Sequence, residues 1–178
     1  RDAQESRGLG DVYKRQDKMC DDLEELCMGI LRRQAPLASD LREIVSCMYV
    51  IEELERIGDY AEGIAVLTIK MGVRPLPTDL VIIPQMSIHT VEILRMSTET
   101  FLIKNPKEVK ARFNSIRAKD DVIDNLNSEV RGRLIELMKN KPNEIERATY
   151  LLWVAHNLER IADRGVNIAE RSMLLVGN

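Results

Sequence analysis

Two short stretches of this 178-residue chain are near copies of each other, and that repetition constrains the fold more than any other feature. Leu54-Glu-Arg-Ile-Gly-Asp59 and Leu158-Glu-Arg-Ile-Ala-Asp163 are each followed, at the same offset, by Ile-Ala (Ile64-Ala65 and Ile168-Ala169). Aligning residues 54–65 with 158–169 leaves seven of twelve positions identical at a period of 104 residues. Self-similarity of this kind marks a duplicated structural unit. Each copy sets Glu and Asp four apart, which on a helix stacks two carboxylates on one face. Like charges so placed repel by about 0.2–0.5 kcal/mol per pair. A chain that repeats them at matched places either tolerates that repulsion or offsets it with a cation.

The duplication extends to the preceding helices. Asp17-x-x-x-Asp21 corresponds to Asp120-x-x-x-Asp124 at a period of 103, each with Leu two residues on (Leu23 and Leu126). Each half therefore carries one Asp/Asp pair and one Glu/Asp pair on successive helices.

Apolar residues stepping by 3 and 4 predict those helices throughout. Cys20, Leu23, Cys27, Ile30 and Gln34 form one stripe, stopped by Pro36. A second runs Cys47, Val50, Leu54, Ile57, Ala61, Ile64, Thr68 and Met71, with Ser39 or Asp40 as N-cap and Gly72, Pro75 and Pro77 as terminators. The second half predicts three more: about 84–104, broken by Asn105-Pro106; a stripe from Val109 to Leu137, ended by Lys141-Pro142; and one through Leu151, Val154, Leu158, Ile161, Gly165 and Ile168. Short connections make neighbouring helices antiparallel. The expected fold is all-α: tandem three-helix bundles related by a pseudo-repeat, the first lacking its N-terminal helix. Residues 17–74 form the two-helix first repeat and 79–175 the three-helix second. Residues 1–16 lack this periodicity and have no counterpart in the second half. Asp11–Gln16 reads as a translated cloning or sequencing-adapter scar, so 1–16 is expected to be a non-native tail standing where the missing helix belongs.

Composition agrees. Aromatic residues are only 4% of the chain, which suits packed helices rather than a sandwich or barrel. Lys and Arg number 26 against 29 Asp and Glu, without a long basic run, so a nucleic-acid footprint is not supported. Three cysteines in no metal-type spacing (Cys20, Cys27, Cys47) read as free buried thiols suited to a reducing cytoplasm. No apolar run approaches the ~18–20 residues of a membrane span, and no signal-peptide pattern is present.

Axial arithmetic brings the acidic pairs together. The midpoint of Asp120/Asp124 lies 20 residues before Pro142 and that of Glu159/Asp163 lies 19 after it. At about 1.5 Å rise per residue, antiparallel helices set those pairs within about 2 Å of one height. In the first half the intervals from Pro36 are 17 and 21 residues, a mismatch of roughly 6 Å. Glu55/Asp59 and Glu159/Asp163 sit about 100° or more from their apolar stripes, so the clusters belong on the bundle flanks. About five acidic pairs four apart are expected by chance in a chain this acidic, so any single pair is by default a solvated face. Four pairs at repeat-equivalent places are a different matter. Carboxylate-only clusters suit hard cations or bridged iron and manganese.

Taken together, Asp17-x-x-x-Asp21, Arg33-Gln-x-Pro36, Ser39-Asp-Leu-Arg42, Leu54-Glu-Arg-Ile-Gly-Asp59 and Leu158-Glu-Arg-Ile-Ala-Asp163-x-x-x-Asn167-Ile-Ala resemble the PhoU family of phosphate-transport regulators. The resemblance spans essentially residues 17–171. It implies two three-helix bundles whose Glu/Asp-x-x-x-Asp motifs bind iron or zinc clusters, with manganese or magnesium as other candidates. By position the implied ligands are Asp17, Asp21, Glu55, Asp59, Asp120, Asp124, Glu159 and Asp163. It further implies a cytoplasmic, non-enzymatic protein, commonly a homodimer. Such a protein acts between a phosphate ABC transporter, through its ATPase component, and a sensor histidine kinase, with no direct membrane insertion. Two departures stand out: Gly63 where the second repeat has Asn167, and the absent first helix.

Other residues carry two readings each. His156 is a further ligand or an exposed histidine beside Glu159, and its repeat counterpart is Glu52; His89 reads as incidental. Arg56 and Arg160 screen the carboxylates or meet a partner, or else form ordinary intrahelical pairs worth only ~0.3–0.5 kcal/mol. Tyr150 and Trp153 anchor the last helix or meet a partner. Gly58 and Gly165, on the apolar stripes, read as close helix approaches. Two alternative functions differ in kind. One is a PhoU-like accessory domain of a phosphate or ion transporter without metal-dependent activity. The other, a carboxylate-bridged di-iron enzyme, needs Glu-x-x-His motifs aimed into a bundle core, and the chain has none.

Overall fold

The structure, a computed structural model, describes residues 2–72 and 80–177, with side chains from Gly10 onward. Five long helices follow one another: α1 (Asp2–Gln34), α2 (Ala38–Met71), α3 (Ile82–Phe101), α4 (Pro106–Asn140) and α5 (Ile145–Val176). A 3-10 turn, Pro142–Glu144, leads into α5. No strand occurs among the described residues. The chain is an all-α bundle with two helices in its first half and three in its second.

The breaks lie where the local chemistry puts them. α1 ends at Gln34, because Pro36 has no N–H to give and Ala35 turns into the left-handed region at φ 41°. α2 ends at Gly72, whose φ of 65° suits a residue without a β-carbon. Asn105 caps α4 by accepting from the backbone N–H groups of Lys107 and Glu108 at 3.0 and 3.3 Å, with Pro106 at the first helical position. Elsewhere the expected boundaries move. α2 starts at Ala38 with Leu37 as an N-cap lacking any side-chain bond, because the Ser39 hydroxyl turns to the Asp40 carboxylate instead. α1 runs on without a break from Asp2, through the residues whose weak periodicity predicted no helix before Asp17. Pro75 and Pro77, expected to close the first repeat, lie outside the described residues.

α5 is the central element, packed on α2, α3 and α4, whereas α1 packs on α2. The second half holds the tighter core: Met86, Ile93, Val109, Ile116, Ile123, Val130 and Leu134 are all fully buried. The predicted stripes are its backbone. In the first half Cys20, Cys27 and Ile51 make a smaller cluster, and Leu23, expected inside, stays 44% exposed. Val50 and Ile57 of α2 meet Ile161 and Ile168 of α5, so the repeat-equivalent helices form the seam between the halves. At Gly165 a β-carbon would stand 2.8 Å from Ile93 Cγ2 and 3.7 Å from the Leu94 nitrogen, which fixes how closely α3 approaches α5. Cys20 and Cys27 are buried and Cys47 half-buried, all as free thiols. Among the described residues no helix is long and apolar enough to cross a membrane.

Candidate metal centres

Both acidic sets assemble on helix flanks, one where α1 meets α2 and one where α4 meets α5. In the first, Glu55 is half-buried, and its carboxyl is raised above the ordinary glutamate range. Desolvation is the largest cause, followed by the charges of Asp59, Glu24, Asp17 and Asp21. Asp17, Asp21 and Asp59 therefore lie close enough for their charges to act on Glu55, and Glu24, outside the predicted set, joins them. The Tyr13 hydroxyl donates to Asp59 Oδ1 at 2.9 Å, and this contact pushes the phenol up to about 12. Asp17 Oδ1 is buried yet has no hydrogen-bond partner among the described residues. A buried carboxylate oxygen left so is an acceptor suited to a cation or a water.

In the second set Asp120 is raised to about 6 by burial first, then by the charges of Asp124, Asp163 and Asp121, with Arg117 opposing. Asp124 is raised for the same reasons. Glu159 turns elsewhere: Asn127 Nδ2, on a buried side chain, donates to its Oε2 at 2.6 Å, and His156 Nδ1 lies 3.5 Å from the same oxygen. Arg160 pairs with Asp163 at 2.8 Å and reaches the Tyr60 hydroxyl at 3.5 Å. It thus screens a carboxylate and ties α5 to α2, while Arg56 makes the intrahelical pair with Glu52, at 2.6 Å. Asn127 and Tyr13 follow no acidic spacing, so their roles had no sequence signal.

Among the described residues no three His, Cys, Asp or Glu side chains close on a point that would hold a metal ion. The carboxylates instead turn to neighbouring donors, namely Tyr13, Asn127 and Arg160. Crowded negative charge favours that outcome, since each donor relieves repulsion. The donor set is all oxygen with an unused buried acceptor, and it fits hard cations or carboxylate-bridged iron.

The crowding has a consequence for stability. A carboxyl raised in the folded state above its unfolded value near 3.9 binds more protons when folded, so folding weakens as pH rises across that interval. In chelator-treated protein the decline should fall between about pH 4 and the Asp120 value of about 6. Asp120→Asn should flatten it and raise stability at pH 7 by about 1 kcal/mol, allowing for solvent screening, or about 2–4 °C in Tm. Thermal melts from pH 4 to 8 measure this, and parallel curves for both proteins would refute the crowding.

A second polar group lies on the seam between α2 and α5. Glu53, 4% exposed, receives Arg164 Nη1 at 3.4 Å and Asn167 Nδ2 at 3.3 Å. Arg171 lies 4.0 Å from the centre of the Tyr49 ring. Gly63, the departure from the repeat, leaves room for Asn157, whose Nδ2 would be 2.8 Å from a β-carbon there. Glu53 belongs to no repeated motif, and its partner Asn167 is the residue of the repeat that marks the place.

A family profile described as "PhoU domain" matches residues 1–68 and 83–172. The "Phosphate-specific transport system accessory protein PhoU homolog" of Rhizobium meliloti (strain 1021) is 31% identical over 158 residues, covering 86% of this chain and 65% of the relative. The protein of the same description from Streptococcus pneumoniae serotype 4 is 32% identical, covering 86% and 69%. The crystal structure of PhoU from Pseudomonas aeruginosa is similar with a TM-score of 0.87 at 27% identity, over 96% of this chain and 80% of that one. The chain thus spans 65% of the length of the Rhizobium relative.

Proposed function

The chain belongs to the PhoU family, and from that premise we propose that it regulates phosphate uptake and holds phosphate-starvation signalling down when phosphate is plentiful. It does so without chemistry on a substrate, through contacts with the ATPase component of a phosphate ABC transporter and with a sensor histidine kinase. It acts as a cytoplasmic homodimer. Iron or zinc clusters, with manganese or magnesium as alternatives, are held by Asp17, Asp21, Glu55 and Asp59 in one half and by Asp120, Asp124, Glu159 and Asp163 in the other. Bound there, the cations neutralise the crowded carboxylates and tie neighbouring helices together.

The observation that supports this reading best is the doubled acidic flank. Burial and the charge of neighbouring carboxylates raise Glu55 in one half and Asp120 and Asp124 in the other, which is the electrostatic setting a multivalent cation relieves. Elemental analysis of protein purified without a metal-affinity tag should find metal. Adding it back after chelation, at a hundredfold excess over Kd, should raise Tm by about 5–10 °C. Asp163→Ala should lose most of that gain. Metal-free protein whose melting ignores added metal would remove the clusters while leaving the regulatory reading. That reading has its own test in the source organism: deleting the gene should switch on a phosphate-starvation reporter in high phosphate, and a silent reporter would end it.

A further inference from the structure

Trp153 is the one tryptophan of the chain, and it stands on the surface of α5, 55% exposed. It forms a ridge between two grooves. The first, about 560 Å³, runs between α2 and α5 over Val66, Leu67 and Trp153, and its charged residues are Asp59 and Glu62. The second, about 500 Å³, lies between α4 and α5, over Ile135, Leu152 and Trp153, and carries Arg131 and His156. Val66, at 39%, and Ile135, at 43%, are exposed like the ridge itself. Helix anchoring accounts for Tyr150, which bonds Glu146 at 2.9 Å. It does not account for Trp153, which is more than half exposed and whose ring meets His156 edge-on at 5.9 Å.

We propose that the groove between α2 and α5 is a docking site for an amphipathic helix of a partner protein, apolar where it faces Val66, Leu67 and Trp153 and basic where it passes Asp59 and Glu62. This deepens the regulatory reading and rests on it, since it names the surface through which contact is made. Tryptophan is enriched among the residues that anchor protein interfaces. An apolar helix face in a groove is a recurrent recognition mode. Charge selects the occupant: Glu62, with Asp59 wherever no cation occupies it, invites a basic stripe, whereas the neighbouring groove, with Arg131, repels one. A basic helix thus has one seat on this face and one side of the ridge to lie on. Asp59 also belongs to the first acidic cluster, so the docked helix would end beside the centre proposed to hold metal.

The lone tryptophan makes the test direct. The full chain is titrated with three synthetic 18-residue peptides: a leucine/lysine amphipathic helix, a leucine/glutamate one, and a scrambled leucine/lysine control. Trp153 emission and the anisotropy of labelled peptide are followed together. The basic helix should shift the emission to shorter wavelength and bind, and the other two should not. Glu62→Lys should abolish that preference, and Trp153→Ala should weaken binding about thirtyfold, the scale of an interface anchor, while leaving the melting temperature unchanged. Equal binding of all three peptides, binding of the acidic helix alone, or affinity unmoved by both variants would overturn the proposal. So would an emission shift that tracks protein concentration alone with a dimer in sedimentation, which would assign the face to a second copy. The reporter strain separates the two readings. A silent reporter on deletion ends the regulatory reading, whereas a responsive reporter still repressed by Glu62→Lys and Trp153→Ala leaves that reading standing without this surface.

Discussion

Replacing Arg164 with methionine should destabilise the protein by about 3–5 kcal/mol, the range for removing one partner of a buried ion pair. Glu53 and Arg164 have side chains only 6% and 13% exposed, and they join helices from different halves of the chain. Without the guanidinium, Glu53 keeps Asn167 at 3.3 Å and the neighbouring Tyr49, neither of which carries positive charge. The carboxylate would then be desolvated without compensation. Removing both partners, as Glu53→Leu with Arg164→Met, should cost less than either single change, because an apolar pair of similar volume leaves no charge stranded. Urea unfolding of the three variants decides the matter. A single variant within about 0.5 kcal/mol of the parent would show that water reaches the pair and screens it as it does at a surface.

A loss of about 2–5 kcal/mol should also follow Ile123→Ala, through lost burial and the cavity left behind. Ile123 is fully buried in the core that α3, α4 and α5 share. The matching experiment in the first half should come out differently. Leu23 occupies the place of Leu126 in the duplication, yet it is 44% exposed whereas Leu126 packs against the core. Leu23→Ala should therefore change stability by no more than about 0.5 kcal/mol, and Leu126→Ala by clearly more. Equal losses at Leu23 and Leu126 in denaturant titrations would mean that α1 is covered as fully as α4.

These contrasts show how far the duplication could be read forward. Matching 17–34 to 120–137 put both stretches on helices and buried Cys20 and Cys27 of the α1 stripe, because such spacing repeats along a single helix. It overstated the equivalence of the halves. Burial depends on how many helices surround a stripe, and the stripe of α1 meets α2 where that of α4 meets both α3 and α5.

The acidic sets show the same division. Spacing sets Asp120, Asp124 and Asp163, and Glu55 with Asp17, Asp21 and Asp59, at similar heights, since rise per residue and an antiparallel turn fix height. Yet no three of them close on one point among the described residues. Height does not fix rotation. The side chain beside Glu159 is Asn127, 32 residues away, the one beside Asp59 is Tyr13, 46 away, and Glu53 meets Arg164 across 111 residues.

The helices from Asp17 onward, several of their ends and the family were present in the order of residues, because each follows from neighbours three, four or a few residues apart, whereas the stretch of α1 before Asp17 was not. The buried pair at Glu53, the donors that the carboxylates select and the exposed ridge at Trp153 came only with the packed fold. They depend on the angle and rotation at which distant helices cross, and local spacing does not encode that geometry.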